Sequence, residues 1–147
     1  MTWSLTKPNG DTMTQSGATP GLTLGEIQSE ETDKSATLTI APLVFNDSGN
    51  TDVIDFGGVI RTIDITGIIK DTPANLAIDK HALNGLIQGN QDLSTGYPLT
   101  YTSDIEKGND GTSAIKVKVQ RVRSTHVGGS PRRLAYIISM VESSTNG

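Results

Sequence analysis

The 147-residue chain has no cysteine, which excludes disulfide scaffolds, thiolate metal centres and cysteine nucleophiles. Aromatics are scarce: Trp3, Phe45, Phe56, Tyr97, Tyr101 and Tyr136 are all there are. That argues against the aromatic-lined cleft in which paired carboxylates cut glycosides. There are two histidines, His81 and His126, neither with a second ligand at metal spacing, and HExxH is absent. Nucleophile-elbow, Walker and GxGxxG motifs are absent too. Gly128-Gly129-Ser130 lacks the following helix that would aim its amides at a phosphate. The expectation is a chain with no catalytic, cofactor-binding or metal-binding residues. No apolar run approaches the ~18 residues of a membrane span, so no membrane insertion is expected. Residues 1–8 lack the charged start and apolar stretch of a signal peptide, which points to synthesis in a cytoplasm.

What is present favours strands. Leu, Ile, Val and Phe number 35, enough for one aliphatic core, and 32 Ser and Thr, 16 Gly and 14 Ile lean towards strands and turns. The net charge of −4 is unevenly spread. Residues 1–111 carry 15 acids and 6 bases, whereas residues 112–147 carry one acid and 6 bases. An acidic body would repel phosphates and argues against a dedicated nucleic-acid binder. Opposite poles on one chain suit head-to-tail contact between copies.

Residues 1–20, poor in large apolar groups, read as an arm or loop anchored by Trp3 and Leu5. Residues 21–142 form a single domain, and residues 143–147 read as a mobile tail. Leu22-Thr23-Leu24 starts a strand and Glu30–Asp33 reads as a polar turn. Leu38 and Ile40 alternate in a second strand that Pro42 ends or places at an edge. Asn46–Asn50 is a turn signal. Gly57-Gly58 marks a bulge or bend between Thr51–Phe56 and Val59–Lys70. Within the latter, Ile63 and Ile65 face one way and Thr62, Asp64 and Thr66 the other.

The spacing predicts one helix over 73–88, capped by Thr72 with Pro73 in the first turn and Gly89-Asn90 as its stop. Leu76, Leu83, Leu86 and Ile87 form its apolar face, with Asp79 and Lys80 on the flanks. After a turn at Asp92–Gly96, Leu99–Thr102 is a short strand. Ile115, Val117 and Val119 alternate with Lys116, Lys118 and Gln120, so a basic ladder faces outwards; the strand runs on to Arg121-Val122-Arg123, whose spacing places the two arginines on one face. Leu134–Val141, apolar on both faces, reads as central. The fold class is mainly β: an antiparallel sandwich or barrel of seven or eight strands, one inserted helix and mobile terminal arms.

Among polar groups, Asp52, Asp55 and Asp64 offer a carboxylate pair, but any sixteen acids would. Asp104, Glu106 and Asp110 share a loop at no EF-hand spacing, which a solvated loop explains. Asn46-Asp47-Ser48 fits the glycosylation triplet, with no secretory route to act on it. Arg121, Arg123, Arg132 and Arg133 are candidates for gripping phosphates or pairing with a neighbour's acids.

From Val53 to Glu142 the order of features resembles the tail-tube and baseplate-ring superfamily of tailed viruses and contractile injection systems. The resemblance is carried by Ile54–Gly67, the helix over 73–88, Leu99–Ser103, the basic strand Ile115–Arg123 and Tyr136–Glu142. Residues 1–50 carry none of it. It implies a structural virion protein of the viral tail, made in the host cytoplasm. Such proteins form homo-oligomeric, hexameric rings, with sandwich edges paired between neighbours around a channel for DNA ejection. Its implied partners are itself, other tail proteins such as sheath, tape measure or baseplate, and passing DNA bound without sequence specificity. Asp52, Asp55 and Asp64 are then candidates for lumen or interface acids, and Arg121, Arg123, Arg132 and Arg133 for the intersubunit interface. Two alternatives are a baseplate or tail-tip ring or adaptor, and a non-catalytic carbohydrate-binding sandwich using Trp3, Tyr97 and Tyr101 as a platform.

Overall fold

The structure is a computed structural model that describes residues 3–7, 10–15, 19–42, 51–88, 99–108, 111–126 and 128–142; for 37–42, 51–59 and 88 it describes the backbone. The elements are β1 (Ser4–Thr6), β2 (Thr12–Thr14), β3 (Glu26–Pro42), β4 (Thr51–Lys70), α1 (Pro73–Gln88), β5 (Leu99–Thr102), β6 (Ile115–His126) and β7 (Arg133–Glu142). The seven strands make one sheet in the order β2-β1-β5-β6-β7-β4-β3, and every pairing in it is antiparallel. The fold is mainly β with one helix, as the composition and alternation predict. The turn signals at 46–50 and 92–96, the helix stop at 89–90 and the tail at 143–147 lie outside the described residues.

Alternation puts one face of the sheet in the core. Ile63, Ile65 and Ile69 of β4, Leu134, Tyr136, Ile138 and Met140 of β7, and Ile115, Val117 and Val119 of β6 are all buried there. β7 lies between β4 and β6, the central place its two apolar faces require. The bulge expected at Gly57-Gly58 is present: Ala36 pairs with Val59 but Leu38 with Asp55, so β4 carries two extra residues. Pro42 closes β3, an edge strand, where a missing N–H costs no ladder bond.

The helix spans the expected residues. The Thr72 hydroxyl accepts from the Asn75 amide at 3.4 Å, and the Leu76 amide donates to the Thr72 carbonyl at 2.9 Å. Leu76, Leu83 and Leu86 are buried. At about 1.5–3 kcal/mol each they outweigh the ~1 kcal/mol of a cap, so packing holds the helix and the cap sets where it begins.

Four local expectations are corrected. Within residues 1–20 the chain forms the β1–β2 hairpin rather than an arm or loop, because Leu5 and Met13 turn inwards and are wholly buried. Thr23 makes only an isolated bridge to Thr14, and the strand begins at Glu26. Glu30–Asp33 is mid-strand, not a turn: it pairs continuously with Ile65–Thr62. On the helix, Asp79 takes the inward place assigned to Ile87. Asp79 is 1% exposed and accepts the Gly21 amide at 2.7 Å, while Ile87 is 39% exposed.

The sheet curls so that β3 reaches β5 across the core through side chains. The Glu30 carboxylate accepts from Trp3 Nε1 at 3.2 Å, from Ser103 Oγ at 3.1 Å and from the Tyr101 hydroxyl. Burial first, and then that carboxylate, push the Tyr101 hydroxyl well above its ordinary pKa. Beside it, buried Arg61 donates Nε to Glu142 Oε2 at 2.6 Å and a terminal nitrogen to the Lys107 carbonyl at 2.8 Å. These bonds tie the loop after β5 to β4 and β7.

Candidate assembly surface

The outward face of the sheet is read by strand register, because directly paired residues share a face. Glu31 pairs with Asp64, Asp64 with Ser139, and Ser139 with Arg121. The flanking rows are Asp33–Thr62–Val141–Lys118 and Ser29–Thr66–Ile137–Arg123. This face therefore has an acidic column on β3, a polar and apolar middle on β4 and β7, and a basic column on β6.

Two single-residue bulges create those columns. On β6, Val119 pairs with Met140 but Arg121 with Ser139, leaving Gln120 as the extra residue. Simple alternation from Ile115, Val117 and Val119 would turn Arg121 and Arg123 into the core. The bulge moves them outwards beside Lys116 and Lys118 and turns Val122 against the core. On β3, Ile27 pairs with Gly67 and Ser29 with Thr66, so Gln28 is the extra residue. That shift sends Glu30 inwards and Glu31 and Asp33 outwards.

Arg121 and Arg123 share one face, as their spacing predicts, and the bulge makes it the outward one; Asp64 lies in the same row as Arg121 with only Ser139 between. Thr62, Asp64, Gln120, Arg121 and Ser139 line an open depression there. Arg132 and Arg133 lie elsewhere. Arg133 pairs with Lys70 at the far end of β7, six residues and roughly 20 Å from Ser139. The Arg132 carbonyl accepts the Asp71 amide at 3.1 Å, and its guanidinium is the least of the influences that lower the Asp71 carboxyl. The hydrogen bonds from the Thr72 amide and Asn75 come first. The four arginines are thus two separate pairs. The Asp52 and Asp55 backbones pair with Ala41 and Leu38; their side chains lie outside the described residues.

Sequence reasoning missed Glu31 and Asp33. Their outward alternation was the available signal, hidden by the bulge at Gln28. Trp3 and Tyr101 are 7% and 0% exposed, so neither forms part of an aromatic sugar platform; Tyr97 lies outside the described residues. Among the described residues, no cluster of three metal-ligating side chains occurs and no helix is long and apolar enough to cross a membrane.

No family model and no curated protein matches the sequence. Solved structures do. The chain is similar to one in the tail of an empty gene transfer agent particle, solved by helical refinement with C6 symmetry. The TM-score is 0.54 at 12% identity, over 98% of this chain and 91% of that one. A chain of the native gene transfer agent virion matches with TM-score 0.54 at 9% identity, over 97% of this chain and 91% of that one. At such identities the likeness is one of fold. It extends along nearly the whole chain.

Proposed function

We propose that this chain is a non-enzymatic structural subunit of a virus-like tail, whose copies close into hexameric rings that stack into a tube for DNA. The single observation that carries the reading is the likeness of fold, over nearly the full length, to a chain of a C6-symmetric tail. The sheet supports it independently. β3 is a 17-residue edge strand bonded on one side only among the described residues. Such an edge is an aggregation hazard in a monomer and an assembly device in a closed ring. An acidic net charge suits a conduit that DNA must not adhere to. Other tail proteins are its further partners, and the virion tail is its location.

Size-exclusion chromatography with light scattering, over a range of concentrations, tests the reading. Species at six chain masses and multiples of six are expected. A single layer that never stacks would favour the baseplate or tail-tip ring. A monomer at every concentration would overturn self-assembly.

A further inference from the structure

Two open edges on one face carry opposite charge. Among the described residues β3 bonds only to β4, and the Arg121–His126 stretch of β6 bonds only to β7. On the outward face the β3 edge presents Glu31 and Asp33, and the β6 edge presents Arg121 and Arg123. All four are exposed, and among the described residues none of the four forms an ion pair. Among the described residues these are thus two unpaired acids and two unpaired bases, each set spaced two residues apart, on opposite borders of a four-stranded face.

Strand direction decides whether the borders can meet. β6, β7, β4 and β3 are successively antiparallel, so β3 and β6 run in opposite directions. A rotation about an axis running along the strands leaves strand direction unchanged. It therefore brings one copy's β3 beside the next copy's β6 in antiparallel orientation, as in every pairing within the sheet. Four strands per copy, an even number, keep that alternation going around a closed ring.

We infer that the β3 edge of one copy pairs with the Arg121–His126 edge of the next, with Glu31 opposite the neighbour's Arg123 and Asp33 opposite its Arg121. This antiparallel register matches both acids with both bases at once. Setting Glu31 opposite Arg121 instead brings Asp33 to Lys118, the next outward residue across the bulge, so the acids of β3 meet bases of β6 in that register as well. Cross-strand charge pairs thus select which edges meet, acidic β3 against basic β6, since two copies of the same edge would face like charges. Arg132 and Arg133, at the far end of β7, have no part in this seam. The inference rests on the ring reading above and names the surface by which the ring closes.

The test is a charge swap. Variant A carries Glu31→Arg and Asp33→Arg; variant B carries Arg121→Glu and Arg123→Glu. Each has like charges on both borders, so each alone is expected to lose assembly at concentrations where wild type is fully assembled. Mixed in equal amounts, A's basic β3 meets B's acidic β6 and the reverse, so alternating rings are expected to return at the wild-type mass. Circular dichroism and thermal unfolding of each variant check that the protomer stays folded. All four exchanged positions are exposed edge sites, so the fold should persist. Assembly of A and B alone at the wild-type concentration, or failure of the folded mixture to assemble, overturns this seam while leaving the ring reading in place. Failure of wild type itself to assemble overturns the ring reading, and the seam with it.

Discussion

Gly67 and Tyr136 are paired directly across β4 and β7 on the core face, and they make the most quantitative test of the packing. A Cβ on Gly67 would lie 2.5 Å from the Tyr136 hydroxyl oxygen, 2.7 Å from its Cζ and 3.0 Å from the Glu26 carbonyl oxygen. The tyrosine cannot move aside freely. It is 1% exposed and its hydroxyl donates to the Leu24 carbonyl, which holds down the segment leading into β3. Gly67→Ala should therefore incur overpacking strain, about 1–3 kcal/mol. It should also displace the buried hydroxyl from its acceptor, about 1–3 kcal/mol more. A combined loss of about 2–4 kcal/mol corresponds to a fall in melting temperature of roughly 6–12 °C for a chain of this size.

Tyr136→Phe alone should cost about 1–2 kcal/mol, from the carbonyl left unpaired. Adding Gly67→Ala to it should cost less than in wild type, because the nearest clashing atom is gone. The coupling expected is about 1 kcal/mol, readable in a double-mutant cycle by urea unfolding. If Gly67→Ala changes stability by less than 0.5 kcal/mol (about 1–2 °C), or if the two substitutions are additive, the packing argument fails.

Other predictions follow from the polar contacts. Glu30→Ala should cost about 2–4 kcal/mol, since it strands the Trp3, Tyr101 and Ser103 donors at once, and amide exchange over residues 103–108 should quicken; unchanged exchange would show the loop is held otherwise. Burial raises the Asp79 carboxyl above its ordinary 3.8, outweighing the hydrogen bond from Gly21, and its second oxygen is buried without a partner among the described residues. The folded chain therefore holds that proton to higher pH than the unfolded chain, so this group's contribution to stability declines as pH rises from about 3.8 through the raised value. Asp79→Asn keeps an oxygen for the Gly21 amide, so it should be more stable than wild type at pH 7, with the gain shrinking towards pH 4; a gain independent of pH would refute the assignment. Thr72→Ala should cost about 1 kcal/mol in thermal unfolding and Thr72→Ser a few tenths, whereas equal costs would remove the cap from the account.

The legible parts of this fold are those where one local rule acts alone. Thr72-Pro73 fixed the start of the helix, Gly57-Gly58 marked a bulge, and Ile63-Asp64-Ile65 showed which face of β4 is wet. The illegible parts are those where a distant partner decides. Glu30 looks like a turn residue until Trp3, Tyr101 and Ser103, from 27 to 73 positions away, supply its hydrogen bonds. Asp79 looks like a flank until Gly21 covers it. The hairpin over 4–14 rests on one inward residue per strand, too little periodicity to read. On the assembly surface Arg121 and Arg123 were legible as sharing a face, but that this face is the outward one, and that Glu31 and Asp33 share it, was concealed by one-residue bulges that reverse the alternation on β6 and β3.

The central claim is that copies of this chain build a hollow tail structure. Negative-stain electron microscopy of the purified protein across concentration tests it most directly. Open rings with sixfold symmetry, stacked into hollow tubes as concentration rises, are the expected result. Featureless monomers at every concentration, or amorphous aggregates without a channel, would contradict it.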